Sequence, residues 1–579
     1  MAPDETTGNS IFATPINPVD STKNPTDSTK NPTDSTKNPT DSSKNSLKYV
    51  YDVKDGDKLE FNYKLDLGTN KRSLYLVITN TDLSNSINED VKITSNKSQK
   101  QSLSKAQFLD NNKDISFKEK PIFKDLPQVV NFKHLPFVKS PKKLANYNVS
   151  PPSSNSVGDT NTFFDEKQSK SISSTLKKVV SNVETQFGKK TLLIWVANNC
   201  WHSGGSKDNL ITQDMVDKMA EKFLKSGLKN DIYDWVSTIY GEEWGDHNIG
   251  DFIEEKDEIT ILLYDIEDDN STNGGVLGFF WSKDNAKISV WDSSNERIMF
   301  YIDAVMYAQP TGDSWEITDY WPMEMISTLA HEFQHMIAFY QKNIKWKNAA
   351  GLDTWINEMS SMVVQDFVAN KIFADGPRGV AFTDKTSGNS GNTEGRIPRY
   401  NFYNDYQVNT WYNEDLVLTS YAMSFSLGAY LARNYGGVKL FQKIIQDSSV
   451  HHGAIENAIS SLGYNGINFA EIIKRWGVSV LLSDKSAGSV YQFNKGDWFN
   501  SDVGGTSYSL GSIDFYKFKY ESRDQVGPKI YQLTTENLSK KFYPASNSFY
   551  LVGKNLSGVV SLDIKLPSNK LKLQLVAKE

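Results

Sequence analysis

His331, Glu332 and His335 form the pattern H-E-x-x-H in a chain with only seven histidines. Two imidazoles one helical turn apart can bind one zinc ion, and a catalytic zinc takes three protein ligands and a water. Glu332, next to His331 but rotated away from it, can accept the proton of that water. The alternative is a solvated helix face that carries two histidines and a glutamate by chance.

The residues around this pattern predict a helix that begins near Pro322. Its apolar residues recur at helical spacing within an arc of about 120°: Met325, Ile326, Leu329, Phe333, Met336, Ile337 and Tyr340. His331 and His335 lie on the other side of the helix. We therefore expect an amphipathic helix whose histidine pair faces a cleft or solvent.

Glu358 is the predicted third ligand, on a second helix that starts near Trp355. It lies off the apolar stripe of that helix, and the small and polar residues 345–353 allow the helix to fold back beside the first. His331, His335 and Glu358 then form a His2Glu zinc site. The competing pattern H-E-x-x-H-x-x-G-x-x-H fails, because Ala338 and Gln341 occupy its glycine and histidine positions.

The stretches HEFQH and WINE resemble the thermolysin-like, glutamate-ligand zinc peptidases, and within that group most closely the bacterial hyicolysin family. The resemblance covers roughly residues 188–480, including 275–284, 294–303 and 420–436. It implies a secreted zinc metalloendopeptidase, with His331, His335 and Glu358 as ligands and Glu332 as general base. The sequence contains no G-x-M-E-N stretch upstream of His331, which favours an endopeptidase over the related aminopeptidases.

Two further roles follow from the comparison with that group. Thermolysin has an aspartate four residues after its glutamate ligand, where this chain has Met362. Ser361 and Gln365, on the helical face of Glu358, are the candidates to support the histidines instead. Tyr421 is the expected oxyanion donor, at a distance from Glu358 similar to that of the tyrosine in the aminopeptidase relatives. The alternative for Tyr421 is a core tyrosine.

Weaker signals concern calcium and cysteine chemistry. The acidic stretch 265–270 could hold Ca²⁺, although a solvated loop is the simpler interpretation. Cys200 is the single cysteine, which excludes an internal disulfide. It has no basic or histidine partner nearby beyond His202, so a cysteine peptidase is not indicated.

The organisation of the 579 residues predicts an α+β protein. We expect a thermolysin-like core, a mixed sheet followed by a helical subdomain, between two all-β modules. The predicted divisions are a disordered tail (1–46), an N-terminal β module with an irregular linker (47–172), the metallopeptidase domain (173–485) and a C-terminal β module (505–579). Four proline-containing repeats, NPVDSTK, NPTDSTK, NPTDSTK and NPTDSSK, occupy residues 17–44 and exclude a coiled coil.

Composition and charge exclude nucleic-acid binding and a membrane-embedded protein. A net charge of −7 gives no basic field for nucleic acid, and no apolar run is long enough for a membrane span. The first residues show no secretory signal. We expect an extracellular enzyme, or a lipoprotein or otherwise surface-tethered one held by its tail, acting on protein or peptide substrates that pair with an edge strand at 287–292. Two alternatives stay open: a surface binding protein or adhesin with an inactive core, and a latent form covered by residues 96–172. The oligomeric state stays open as well.

Overall fold

The computed structural model describes residues 49–97, 155–165, 169–348, 350–385, 395–413, 416–518, 526–533, 538 and 541–579. The predicted tail with its repeats, and most of the predicted linker and covering segment at 96–172, lie outside these ranges.

The described residues form sixteen strands and ten α-helices. The strands are β1 (Tyr49–Val53), β2 (Glu60–Asp66), β3 (Arg72–Asn80), β4 (Lys92–Ser95), β5 (Thr160–Asp165), β6 (Lys170–Thr185), β7 (Gly188–Ala197), β8 (Glu258–Tyr264), β9 (Gly278–Phe280), β10 (Ile298–Asp303), β11 (Phe499–Val503), β12 (Thr506–Leu510), β13 (Ile530–Gln532), β14 (Ser546–Leu556), β15 (Val559–Lys565) and β16 (Leu571–Lys578). The helices are α1 (Gln213–Phe223), α2 (Ile232–Tyr240), α3 (Ala304–Tyr307), α4 (Tyr320–Phe339), α5 (Thr354–Ile372), α6 (Arg396–Tyr403), α7 (Val417–Asn434), α8 (Val438–Gln446), α9 (Gly453–Ser461) and α10 (Phe469–Leu482). The α+β class predicted from the sequence is therefore correct.

A six-stranded mixed sheet supports the helix that carries the histidines. Its order is β5-β6-β7-β8-β10-β9, with β7, β8 and β10 parallel to one another. The buried apolar runs in these three strands are typical of parallel strands that are covered on both faces. β5 and the first residues of β6 precede residue 173. The sheet therefore begins inside the predicted N-terminal module and linker (47–172), and the predicted start of the metallopeptidase domain at residue 173 is too late.

The predicted strand at 287–292 does not form. The amides of Val290 and Trp291 both bond to the carbonyl of Lys287, which curls this stretch into turns. The edge strand on this side of the sheet is β9, which pairs antiparallel with β10. Gly278 lets β9 lie against α4, because a Cβ atom there would stand 2.9 Å from the Cγ2 of Thr328.

Three long helices, α4, α5 and α7, pack side by side in that order. α4 packs against β9 and β10 on one side and against α5 on another, and α5 packs in turn against α7. Gly428 makes this last approach possible: a Cβ atom at that position would lie 2.6 Å from the Cγ of Met359. The helix with the histidines is thus held between a sheet and a second helix. None of the helices in the described ranges combines the length and the apolar character needed to cross a bilayer.

The two separate β modules expected from the sequence are instead one β-sandwich. Strand β3 lies between the C-terminal strands β16 and β14, and β15 lies between β2 and β4. The five-stranded and three-stranded sheets enclose one apolar core. An alternating pattern identifies a strand but not its partner, and for this reason the sequence could not show that the strands at 49–95 pair with those at 546–578.

Candidate metal centre

Three potential metal ligands converge between α4 and α5. His331 Nε2 lies 3.2 Å from Glu358 Oε2, and His335 Nε2 lies 3.6 Å from Glu358 Oε1. One ligand atom from each of the three residues lies within 4.8 Å of the other two. The structure therefore brings together the three residues that the sequence analysis chose as ligands.

The spacing of these atoms fits a tetrahedral metal site. Zinc bonds nitrogen and oxygen ligands at about 2.0–2.1 Å, so two ligands in a tetrahedral arrangement stand about 3.3 Å apart. The two measured separations, 3.2 and 3.6 Å, lie close to this value. Two imidazoles and one carboxylate are a donor set that suits zinc, and it also suits other first-row transition metals. The residues present therefore fit a catalytic metal ion.

The histidine side of α4 is buried, which corrects the expectation that it faces a cleft or solvent. His331, His335 and Glu358 have no exposed surface, because α5 packs against the side of α4 that carries the two histidines. Burial, and secondly the neighbouring His331, hold the pKa of His335 well below its usual range. His335 is therefore neutral at pH 7, which is the form of imidazole that binds a metal.

Both histidines contact polar side chains of α5. The Nδ1 atom of His331 lies 2.9 Å from Gln365 Oε1, and that of His335 lies 3.1 Å from Ser361 Oγ. The predicted contacts of Ser361 and Gln365 are thus confirmed. They follow from the helical repeat, since residues three and seven positions after Glu358 share its face.

Two partners of this cluster were missed from the sequence. Gln334 accepts a short hydrogen bond from Ser361, and Ser327 Oγ lies 3.0 Å from Gln365 Nε2. Ser327 could have been found, because it lies one helical turn before His331 and so shares its face. Gln334 carries no such signal beyond being next to His335 in the sequence.

Comparison with known proteins places the metal centre within a described family. Residues 172–567 match the family described as peptidase M30, and this stretch contains all three ligands. The chain belongs to the peptidase M30 family. The resemblance to hyicolysin, inferred from the sequence motifs, is confirmed.

A curated relative of this M30 protein is the neutral metalloprotease ShpI of Staphylococcus hyicus. The two are 27% identical over 322 residues, which cover 55% of this chain and 62% of the relative. The match thus spans less than two thirds of the relative's length.

Glu332 and Tyr421 are both buried in the M30 protein. Glu332 follows His331 on α4. Tyr421 lies on α7, the helix that packs against the one carrying Glu358. Its ring contacts Trp411 at 4.8 Å and the guanidinium of Arg396 at 5.0 Å between centres. Arg396 has no sequence signal that links it to this tyrosine. The catalytic roles of Glu332 and Tyr421 stay predictions.

Two lysines contact the acidic stretch 265–270, the predicted calcium site. Lys207 Nζ lies 2.6 Å from Asp268 Oδ1 and also contacts Asp265, while Lys170 pairs with Asp268 as well. These cations offset the negative charge that would attract Ca²⁺. The contacts therefore give the calcium prediction no support.

Cys200 lies in surroundings that disfavour its thiolate form. It is fully buried, and burial raises the pKa of its thiol to about 12. Because the thiolate is the nucleophilic form, this environment argues against a cysteine peptidase.

Proposed function

We propose that this M30 protein is a zinc-dependent metalloendopeptidase that hydrolyses peptide bonds in protein substrates. The observation that carries the proposal is the buried triangle of His331, His335 and Glu358, with Glu332 next to the first ligand. The family and the printed name of the relative, a neutral metalloprotease, support the same activity. A thermolysin-like arrangement of the core, which starts at β5 and not at residue 173, is part of the proposal.

The chain's own residues account for the proton transfers. When bound, a zinc ion supplies a Lewis acid that polarises the substrate carbonyl and makes water a stronger acid. Glu332 takes a proton from the attacking water as the water oxygen bonds to the peptide carbonyl carbon. When the carbon–nitrogen bond breaks, Glu332 gives this proton to the leaving amine. Tyr421 would donate a hydrogen bond to the oxyanion that forms between these two steps.

Two other classes of function receive less support. A binding protein or adhesin with an inactive core has no need of the catalytic set, yet His331, Glu332, His335 and Glu358 are all present. An aminopeptidase needs a site for the substrate's amino terminus, and the G-x-M-E-N stretch of those relatives is missing upstream of His331. An endopeptidase is therefore the better proposal.

The proposed location is extracellular, either released or tethered at the cell surface. The composition of the repeats at 17–44, rich in Pro, Ser, Thr, Asp and Lys, suits a spacer. Treatment of intact source cells with an added protease tests this location. A surface-held or released protein is digested, whereas survival of the full chain would contradict the proposal.

Cleavage of denatured casein tests the activity directly. Wild type, Glu332→Gln and a control variant, Glu221→Gln on the exposed face of α1, are compared at equal zinc content. Loss of the general base should slow turnover by about 10²–10⁴-fold, and the control should match the wild type. Equal cleavage by wild type and Glu332→Gln would overturn the mechanism. If none of the three proteins cleaves casein, a latent form or a binding role becomes the better explanation.

A further inference from the structure

A glutamine stands behind the first histidine ligand. Gln365 Oε1 lies 2.9 Å from His331 Nδ1, and Gln365 Nε2 lies 3.0 Å from Ser327 Oγ. Gln365 is 7% exposed and Ser327 is 1% exposed, so water does not replace these bonds freely. The three side chains form a relay that crosses from α4 to α5 and back.

The relay determines which nitrogen of His331 carries the proton. An amide oxygen can only accept a hydrogen bond, so the Nδ1–H of His331 donates to Gln365. The Nε2 atom then keeps its lone pair and lies 3.2 Å from Glu358 Oε2. Gln365 thus holds the imidazole in the tautomer and ring orientation that the metal needs.

The relay is also electrically neutral. Ligating histidines in many zinc sites donate to a carboxylate, which makes the imidazole more basic and tightens metal binding. Here a glutamine contacts His331, and Ser361 contacts His335. These two supporting side chains add no negative charge to that of Glu358.

We propose that Gln365 is a positioning residue that sets the metal affinity of this centre. It orients His331 for the metal, and its neutral amide keeps the affinity below the value that a carboxylate in the same place would give. This inference rests on the proposed zinc site, but it concerns metal binding alone and not peptide hydrolysis.

Zinc affinity of substitutions at Gln365 tests the inference without any substrate. The free protein competes with a coloured chelator for zinc, and the Kd is compared among wild type, Gln365→Met and Gln365→Glu. Gln365→Met keeps the side-chain volume but removes the acceptor, so binding should weaken about 10–100-fold. Gln365→Glu supplies a charged acceptor, to which the Ser327 hydroxyl can donate, and binding should tighten about tenfold.

Two further variants keep the test decisive. Gln341→Met removes another buried glutamine, one that bonds to the Glu242 carbonyl, and it should leave the Kd unchanged. Ser327→Ala removes the far end of the relay and should weaken zinc binding several-fold, even if Gln365→Glu does not fold. A folded Gln365→Met protein with wild-type affinity would overturn the positioning role. A Gln365→Glu protein that binds no tighter would overturn the role of charge. Wild-type protein that binds no zinc would overturn the proposed function instead.

Discussion

The ammonium of Lys342 lies 2.6 Å from the carbonyl oxygen of Ile444, in the last turn of α8. The same group donates to the carbonyls of Asp447 and Ser449, and its side chain is fully buried. Lys342 belongs to a π-helical segment, Tyr340–Lys345, that directly continues α4, the helix that carries His331 and His335. A buried cation therefore joins the end of α4 to the end of α8.

The stability of the protein should depend on pH through this lysine. Burial lowers the pKa of Lys342 to about 8, from 10.5. Between these two values the unfolded chain holds a proton that the folded chain has released, so the free energy of unfolding rises with pH. Relative to Lys342→Met, the wild type should gain on the order of 2–3 kcal/mol between pH 7 and pH 10. Urea unfolding at both pH values measures this difference.

The other titrating groups are the same in wild type and Lys342→Met, so their contribution to the pH dependence of stability cancels in the comparison. Lys439→Met, which removes an exposed lysine from α8, serves as the control and should differ from the wild type by the same amount at both pH values. If the gap between wild type and Lys342→Met stayed constant with pH, the buried ammonium would not titrate in this range.

Metal removal should loosen the contact between α4 and α5. His331 and His335 come from one helix and Glu358 from the other, so an ion bound to all three would link the two helices. A ligand that binds only the folded state, at 100 times its Kd, stabilises it by about 2.7 kcal/mol. Addition of a chelator should therefore lower the melting temperature of the wild type, as measured by calorimetry.

Glu358→Gln provides the matched comparison for metal removal. It keeps the shape of the side chain but weakens the ligand, so its melting temperature should respond little to the chelator. Glu221→Gln should respond as the wild type does. A wild type that melts at the same temperature with and without chelator would count against a metal ion that joins α4 to α5.

Tyr421→Phe separates the two interpretations of this tyrosine. The substitution keeps the ring contacts with Trp411 and Arg396 but removes the hydroxyl. If the hydroxyl stabilises the oxyanion, kcat should fall about 10²–10³-fold while KM and zinc content change little. Tyr430→Phe, on the same helix, removes a hydroxyl that donates to the Val490 carbonyl and should leave kcat unchanged. Equal kcat for wild type and Tyr421→Phe would make Tyr421 a core residue.

The metal centre could be predicted from the sequence because helical periodicity fixes which residues share a face. His331 and His335 are one turn apart on α4, and Glu358, Ser361 and Gln365 repeat along one side of α5. The spacing within each helix thus defined both halves of the site. The burial of the histidines was not predictable in this way, since it depends on how α5 covers α4.

The pairing of the strands could not be predicted from the sequence for a similar reason. Residues 287–292 alternate in polarity like a strand, yet the amides of Val290 and Trp291 form local turns at Lys287 instead of ladder bonds. The stretch that became β16 was correctly predicted as extended, but its neighbours, β1 and β3, lie some 500 residues earlier in the chain. Pairing over such a distance leaves no local pattern to detect.

Removal of the C-terminal strand β16 should therefore unfold more than a terminal module. β16 lies between β1 and β3, with Leu573 and Leu575 in the core of the sandwich. Val576 belongs to the apolar core that also contains α10, and Lys578 Nζ donates to the Leu481 carbonyl near the end of that helix. A chain that ends at residue 570 loses all of these contacts and should be insoluble, or should melt well below the full-length protein.

A matched truncation and a point substitution complete this test. Deletion of residues 1–46, which precede the first strand, should leave the melting temperature unchanged. Leu575→Ala removes one fully buried side chain and should lower the free energy of unfolding by about 2–5 kcal/mol. Because β16 contributes to the sandwich core and also packs against α10, the loss should appear in the same transition that unfolds the metal centre. A 1–570 chain with wild-type stability and zinc affinity would show that the C-terminal strand is dispensable, as a detachable module would be.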